Sequence, residues 1–292
     1  MKVRKMKVYT VKPYGVCFGV NRAVDIAIKL RYEHPLDNIT VLGMLVHNEN
    51  VINELSMHNI LSLYSSSKSD EELINEIKDG YIIFTAHGHK KKLEILAQNK
   101  GLKIIDATCS QVQKVIDLIK ENKERNIIYI GKENHPETNA CLSYGNSIYR
   151  IDTPDDISKL PNLINPLVIN QTTYSLLDLK EIHDLLKKKF TNIEFVDEIC
   201  STTRIRQEAI LKMPSDIDLV YIVGDEKSSN TQRLVELAHK HLPNAIVKKI
   251  ATVKYINNSD LKKANYVGIA SGASTPLSIT NEVIKYVTNF EK

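Results

Sequence analysis

The chain has 292 residues, of which 42% are hydrophobic and 25% are charged, and its formal net charge at pH 7 is +4. This length allows two or three domains with buried cores, and the charge is too small to indicate a nucleic-acid-binding protein. No apolar run approaches the roughly 18 residues of a membrane span, and the basic N-terminus lacks the apolar core of a signal peptide. We therefore expect a cytoplasmic globular protein that binds neither nucleic acid nor membrane.

Short apolar runs alternate with amphipathic stretches along the chain, and a polar turn separates each run from the stretch after it. This alternation is typical of α/β domains with mainly parallel sheets. In chain order, the units that carry it are VYTVKPYGVCFGVNRAVDIAI, VLGMLVHNENVINEL, YIIFTAHGHKKKLEIL, DATCSQVQKVIDLI, IIYIGKENHPETNACL, LVINQTTYSLLDLKEI, DEICSTTRIRQEAIL, LVYIVGDEKSSNTQRLVELA and YVGIASGASTPLSITNEVI.

A cysteine stands at the start of a predicted helix three times. Cys17, Cys109 and Cys200 are spaced 92 and 91 positions apart, and two further strand–turn–helix units follow each of them at similar distances. A repeat of this length indicates copies of one supersecondary unit. We predict three pseudo-repeated α/β domains with mainly parallel sheets. The predicted domains are 1–104, 105–195 and 196–292, and the N-terminal strand is a candidate addition to the third.

The repeated cysteines have two interpretations. The positive end of a helix dipole favours a thiolate, and three neighbouring thiolates would repel one another without a cation between them. A metal ion or iron–sulfur cluster with one open position would supply that cation. Alternatively, each cysteine is a small buried hydrophobic residue. The fourth, Cys141, lies outside the repeat, and we assign it to packing.

Several polar turns after predicted strands could bind an anion. Hydroxyls and backbone N–H groups in SSNT, QTT and SGAST could hold a phosphate, although Ser and Asn are also ordinary helix caps. His47 and His87 each follow an apolar strand directly and could bind a phosphate oxygen or pass a proton. In HPE, Glu137 is either a favourable charge at a helix start or a carboxyl tuned for proton donation.

Nine short motifs together resemble one family, the LytB family of hydroxymethylbutenyl diphosphate reductases. They occur in order along essentially the whole chain, which makes the resemblance far more specific than any one of them. The motifs are GVCFGVNRA, LVHNENV, TAHG, DATC, NHPE, NQTT, CSTTRIRQ, EKSSNTQRL and SGASTP.

The resemblance implies three α/β domains around a central 4Fe-4S cluster, held by Cys17, Cys109 and Cys200 with one iron left open. It also implies that Glu137 is the proton donor and that Thr172 contacts the reacting end of the substrate. The implied substrate-binding residues are His47, His87, His135, Thr172, Ser228, Ser229, Asn230 and Ser274. Ser110, Thr202 and His89 differ from the residues usual in the family.

The implied reaction converts 4-hydroxy-3-methylbut-2-enyl diphosphate to isopentenyl and dimethylallyl diphosphate by reductive dehydroxylation. This is the last step of the non-mevalonate isoprenoid pathway, and ferredoxin or flavodoxin is the implied electron donor. Two alternatives stay open at this point. One is an iron–sulfur dehydratase similar to quinolinate synthase, and the other is a non-enzymatic metal- or phosphate-binding protein.

Overall fold

The computed structural model of the chain describes residues 6–196 and 199–291. Within these residues the strands form three four-stranded sheets, and every strand pair in them is parallel. The predicted class, three repeated α/β units with parallel sheets, is therefore confirmed. No helix in the part of the chain described has the length and apolarity needed to cross a membrane.

The first sheet and its helices occupy the N-terminal third of the chain. Its strands are β2 (Ile39–Leu42), β3 (Leu61–Leu63), β4 (Tyr81–Phe84) and β5 (Lys103–Asp106), and its helices are α1 (Phe18–Glu33), α2 (Glu49–Met57), α3 (Asp70–Glu76) and α4 (Lys91–Asn99). The strand order is β3–β2–β4–β5. Local caps fix the helix starts: the Ser69 hydroxyl accepts the Glu72 N–H, and the Glu72 carboxylate accepts the Ser69 N–H.

The second sheet repeats the first. Its strands are β6 (Ile127–Ile130), β7 (Ile148–Ile151), β8 (Leu167–Asn170) and β9 (Glu194–Val196), and its helices are α5 (Ser110–Glu121), α6 (Pro136–Leu142), the 3₁₀ helix Pro154–Lys159 and α7 (Leu176–Lys189). The strand order β7–β6–β8–β9 matches that of the first sheet. In both sheets the second strand in chain order lies at one edge and the fourth lies at the other.

The third sheet takes its edge strand from the far end of the chain. Its elements are β1 (Lys7–Thr10), α8 (Ser201–Leu211), β10 (Leu219–Val223), α9 (Ser229–His241), β11 (Ile246–Ile250), the 3₁₀ helix Val253–Tyr255, α10 (Asn258–Lys263), β12 (Tyr266–Ser271) and α11 (Leu277–Thr288). The order is β11–β10–β12–β1. Strand β1 therefore occupies the edge position that β5 and β9 occupy in the other two sheets.

Helices cover both faces of each sheet. In the first sheet, side chains alternate along the buried strands: Val41 and Ile83 pack on one face with α1 and α2, whereas Ile82 packs on the other with α3 and α4. This alternation follows from the two-residue period of a strand, and continuous apolar runs such as YIIF arise because both faces are buried. The second and third sheets likewise have one apolar cluster on each face.

Each repeated cysteine lies where the chain leaves one sheet and begins a helix on the next. Cys17 follows β1 of the third sheet, and α1 after it packs on the first sheet. Cys109 follows β5, and α5 packs on the second sheet; Cys200 follows β9, and α8 packs on the third. The cysteines are therefore equivalent positions of the structural repeat.

The contacts within the chain define two compact units. One contains the third sheet, with the N-terminal residues up to Cys17 and the chain from Ser201 onward, and the other spans Phe18–Cys200 with the first two sheets. The predicted boundaries at 104/105 and 195/196 divide the chain more finely than this, and they stay a prediction.

Candidate functional site

The three repeated cysteines have the same local setting. Each directly precedes the first residue of a helix: Phe18 of α1, Ser110 of α5 or Ser201 of α8. All four cysteines of the chain are described, and none is in a disulfide. The three repeated cysteines are half-buried, so their side chains at the helix starts are partly accessible.

One backbone hydrogen bond fixes each of these cysteines. The Cys17 N–H donates to the Ala273 carbonyl at 2.8 Å, the Cys109 N–H to Ala86 at 3.0 Å, and the Cys200 N–H to Thr172 at 3.0 Å. Each acceptor lies two residues beyond the end of the third strand of its sheet: β12, β4 or β8. The sheet itself thus positions the three sulfur-bearing residues in the same way.

This setting fits thiolate ligands of an iron–sulfur cluster. A half-buried thiol at a helix start can reach a ligand. Cys141 is the contrast, because it is fully buried in the core of the second sheet, and burial raises the pKa of its thiol far above the usual range. Its assignment to packing agrees with that burial.

Within residues 6–196 and 199–291, no three His, Cys, Asp or Glu side chains surround a position suited to a single metal ion. A four-iron cluster places different requirements on the protein, because each cysteine binds a different iron and the sulfurs need not converge on one point.

The three predicted site histidines, His47, His87 and His135, meet in the unit that spans Phe18–Cys200. The ring centroids of His47 and His87 lie 4.3 Å apart, and that of His135 lies 6.0 Å from His47 and 5.9 Å from His87. Burial, followed by the neighbouring rings, lowers the pKa of His87 well below its ordinary value. His47 and His87 line a cavity of about 310 Å³ with Lys90 and Asp70.

Glu137 is a buried carboxyl held by Thr172. The Thr172 N–H donates to Glu137 Oε1 at 2.6 Å and its hydroxyl donates to Oε2 at 2.9 Å, while the Glu137 side chain is almost completely buried. Burial raises the pKa of Glu137 to about 7, and the two bonds from Thr172 oppose that rise without cancelling it. A carboxyl of this kind can give up a proton near neutral pH.

Glu137 is linked to two other predicted residues. Its backbone N–H donates to Nδ1 of His135, the N-cap of α6, at 3.2 Å. On its other side, Thr172 binds its carboxylate and also accepts the Cys200 N–H through its carbonyl. The structure therefore brings together His135, Glu137, Thr172 and the backbone of Cys200, which lie up to 65 positions apart in the chain.

The remaining predicted residues lie in the unit that contains the third sheet. Ser228 is the N-cap of α9, its hydroxyl accepting the Thr231 N–H at 3.3 Å, and Ser229 is the first helical residue. Asn230 is buried, and neither side-chain amide atom has a hydrogen-bond partner among the described residues. Because buried amides normally have partners, Asn230 fits ligand binding better than capping. Ser274 is also buried, in the turn after β12.

Two arginines support the cysteine loops, and we did not single them out from the sequence. The Arg206 guanidinium donates to the carbonyls of Pro13 at 2.9 Å and Gly15 at 2.6 Å, on the segment that leads to Cys17. Arg22 donates to the carbonyl of Thr108, next to Cys109, at 2.9 Å. Both lie on helices that follow a cysteine, but helical spacing alone does not show which carbonyls they reach.

The three positions that differ from the family pattern lie near the predicted site residues. Ser110 and Thr202 are within the first turns of α5 and α8. The buried ring of His89 stacks on Phe84 with centroids 3.9 Å apart, and its Nε2 lies 3.3 Å from Glu94 Oε1. An aromatic ring thus replaces the packing of an apolar side chain at this position.

Comparison with known proteins places these features in one family. The model of the family described as LytB protein matches residues 8–288. The 4-hydroxy-3-methylbut-2-enyl diphosphate reductase of Bacillus subtilis is 36% identical over 291 residues, covering 98% of this chain and 92% of the relative. The enzyme of the same name from Lysinibacillus sphaericus is 37% identical over 293 residues, covering 98% and 90%.

Solved structures agree with the sequence relatives. The E-1-hydroxy-2-methyl-but-2-enyl-4-diphosphate reductase of Plasmodium falciparum superposes with a TM-score of 0.89 at 29% identity, over 98% of this chain and 89% of that one. A structure described as (E)-4-hydroxy-3-methyl-but-2-enyl diphosphate reductase, the terminal enzyme of the non-mevalonate pathway, superposes with a TM-score of 0.66 at 26% identity, over 98% and 100%. These similarities favour a reductase over the quinolinate-synthase-like alternative.

Proposed function

This chain belongs to the LytB family, and we propose that it catalyses the reaction for which its relatives are named, the reduction of 4-hydroxy-3-methylbut-2-enyl diphosphate. In this reaction an allylic hydroxyl leaves as water while two electrons and two protons are consumed. The products are isopentenyl diphosphate and dimethylallyl diphosphate, which completes the non-mevalonate pathway. The observation that carries the proposal is the buried Glu137 carboxyl, held by both donors of Thr172 beside three clustered histidines.

Cys17, Cys109 and Cys200 are the residues that would hold a 4Fe-4S cluster. Their shared position at helix starts, their half-buried thiols and their matching backbone hydrogen bonds support this assignment. When bound, such a cluster supplies electrons, and with only three cysteine ligands it offers one iron as a Lewis acid. The chain supplies the remaining needs of the reaction, which are substrate binding, orientation and protons.

Glu137 is the group that we propose gives a proton to the departing hydroxyl. Its pKa of about 7 leaves the carboxyl substantially protonated near neutral pH, which a solvent-exposed glutamate would not be. The two bonds from Thr172 fix the orientation of the carboxyl. Thr172 would also contact the reacting end of the substrate, so one residue positions both the acid and the substrate carbon.

The diphosphate would be bound by neutral donors. Imidazole N–H groups, hydroxyls and a side-chain amide can each donate to phosphate oxygens, and the start of α9 adds a favourable dipole. The proposed ligands are His47, His87, His135, Ser228, Ser229, Asn230 and Ser274. The buried amide of Asn230, which lacks a partner among the described residues, is the side chain most in need of such a ligand.

Replacing His47 or His87 with asparagine should weaken substrate binding and leave the iron content unchanged. Loss of one hydrogen bond to a charged group costs about 1.5–3 kcal/mol, which corresponds to a rise of roughly ten- to hundred-fold in the dissociation constant. Binding of the substrate can be measured by calorimetry without reductant. The exposed His239 on α9 gives a matched control, and His239→Asn should bind normally. Unchanged affinity in both test variants would remove these histidines from the site.

A small acidic redox protein, ferredoxin or flavodoxin, is the electron donor that we propose. The net charge of +4 favours association with an acidic partner, and that attraction weakens as salt is added. The rate of reduction by such a donor at limiting concentration should therefore fall with ionic strength, whereas the rate with a small uncharged reductant should not.

The proposed function is tested by purification under anaerobic conditions, followed by iron and sulfide analysis and a turnover assay. We expect a brown protein with about four iron and four sulfide per chain. With a strong reductant it should convert 4-hydroxy-3-methylbut-2-enyl diphosphate to both products. A protein that holds the cluster but turns over no prenyl diphosphate would contradict the reductase assignment, and a colourless protein with zinc would contradict the cofactor.

A further inference from the structure

The backbone fixes the proton position on His135. Its Nδ1 atom accepts a hydrogen bond from the backbone N–H of Glu137 at 3.2 Å. A backbone amide is always a donor, so Nδ1 must carry its lone pair and the ring proton must be on Nε2. Charging this ring would place a second N–H against the amide and break the cap of α6. The neutral Nε2–H form is therefore built into the helix start.

His87 is kept neutral by a different device. Its Nδ1 atom is inaccessible to solvent and has no hydrogen-bond partner among the described residues. A proton on this atom would create a buried N–H without an acceptor, which costs more than a buried lone pair does. The neutral ring with its proton on Nε2 avoids that cost. The lowered pKa of His87 also favours the neutral ring.

The charged groups around the three histidines do not reverse the preference of His87 for its neutral form. His47 and His135 are the rings packed on His87, and a charge on either would disfavour a second one. Lys90, which lines the cavity beside His87, acts in the same direction. Asp70 also lines the cavity, but burial raises the pKa of its own carboxyl. The Glu137 carboxylate oxygens are bonded to Thr172, and the buried His89 faces Glu94.

We propose that His87 and His135 stay neutral Nε2–H donors both before and after a diphosphate binds, so that neither ring takes up a proton when the ligand binds. This inference deepens the proposed function and rests on it for the identity of the ligand.

The direct test is nitrogen-15 NMR of histidine-labelled protein between pH 6 and 8, with and without saturating inorganic diphosphate. Protonated and bare ring nitrogens resonate far apart, so the spectrum reports charge and tautomer for each ring. Signals are assigned with His87→Asn and His135→Asn, and asparagine at position 135 is itself a good helix cap. We expect both rings to show a bare Nδ1 throughout. Titration of either ring in this range, or an Nδ1–H form of His135, would overturn the proposal.

Calorimetry gives a second test that does not depend on resolving NMR signals. Binding of inorganic diphosphate is measured in buffers with different ionisation enthalpies, which yields the number of protons taken up on binding. Wild type and His87→Asn should give the same number, because a neutral His87 contributes none. A difference approaching one proton, or failure of wild type to bind diphosphate at all, would refute the inference. Both tests are made without reductant, so a failed turnover assay would contradict the proposed function separately.

Discussion

Replacing Cys17, Cys109 or Cys200 with serine should each remove the brown colour or most of the activity. A serine hydroxyl is a far weaker acid than a thiol and a poor ligand for iron, and the loss of one of three ligands leaves a cluster held by two. The backbone hydrogen bonds to Ala273, Ala86 and Thr172 do not involve sulfur, so the fold should survive. The measurements are iron and sulfide content, visible absorption, and turnover under saturating reductant.

Cys141 provides the matched control. It is fully buried in the core of the second sheet and lies outside the repeat of the other three cysteines. Cys141→Ser and Cys141→Ala should keep both iron content and turnover, with a loss of stability of about 1 kcal/mol from altered packing. The threefold assignment is wrong if Cys141 is essential and one of the other three can be dispensed with.

Replacing Glu137 with glutamine should lower the rate by roughly 10²–10⁴, the usual contribution of a general acid. Glutamine has the same size, and both contacts with Thr172 can persist, because the amide oxygen accepts the Thr172 N–H and the amide nitrogen can donate to the hydroxyl. What it lacks is the proton. Iron content and binding of the substrate should therefore stay near those of the wild type, and single-turnover kinetics should show the deficit in the chemical step.

The competing interpretation of Glu137 predicts a much smaller change. If its only role is a favourable charge at the start of α6, glutamine should cost about 0.3–1 kcal/mol of stability and leave the rate nearly intact. A Glu137→Gln enzyme with most of its normal turnover would therefore end the assignment as proton donor. The two outcomes differ by at least an order of magnitude, so the assay separates them.

The pH dependence of the wild type follows from the same carboxyl. Burial raises the pKa of Glu137 to about 7, so the proton is present below that pH and the rate should fall as pH rises through it. The residual rate of Glu137→Gln should not show this fall as pH rises. The folded state also binds more protons than the unfolded one between the ordinary pKa of 4.5 and about 7. Wild-type stability should therefore decline across this window more than that of Glu137→Gln.

Much of the fold can be predicted from local patterns. Continuous apolar runs such as IIYI and LVI predict strands buried on both faces, and the cysteine spacing predicts three copies of one unit. The same patterns place each of the three repeated cysteines at a helix start, where the structure has them. These features depend on residues close in the chain, which is why no long-range information is needed to find them.

Long-range pairing decides the rest. The sequence offers the first strand only as a candidate addition to the third domain, whereas the structure pairs β1 with β12 at positions such as Val8 and Val267. Arg206 likewise reaches the carbonyls of Pro13 and Gly15 only because α8 and the N-terminal segment belong to one compact unit. Neither contact has a signature in the residues around it.

The sequence by itself determined the repeat, the parallel α/β class and the residue types available for chemistry, because strand and helix periods and turn residues are local properties of the chain. Only the tertiary structure decided what those residues are able to do. Glu137 looks the same in the sequence whether it caps a helix or gives up a proton. It becomes an acid with a pKa of about 7 because folding buries its side chain at the start of α6, and both donors of Thr172 then fix the orientation of the carboxyl. The three histidines similarly become one cluster because the ends of β2, β4 and β6 lie close together in space, which no local pattern encodes.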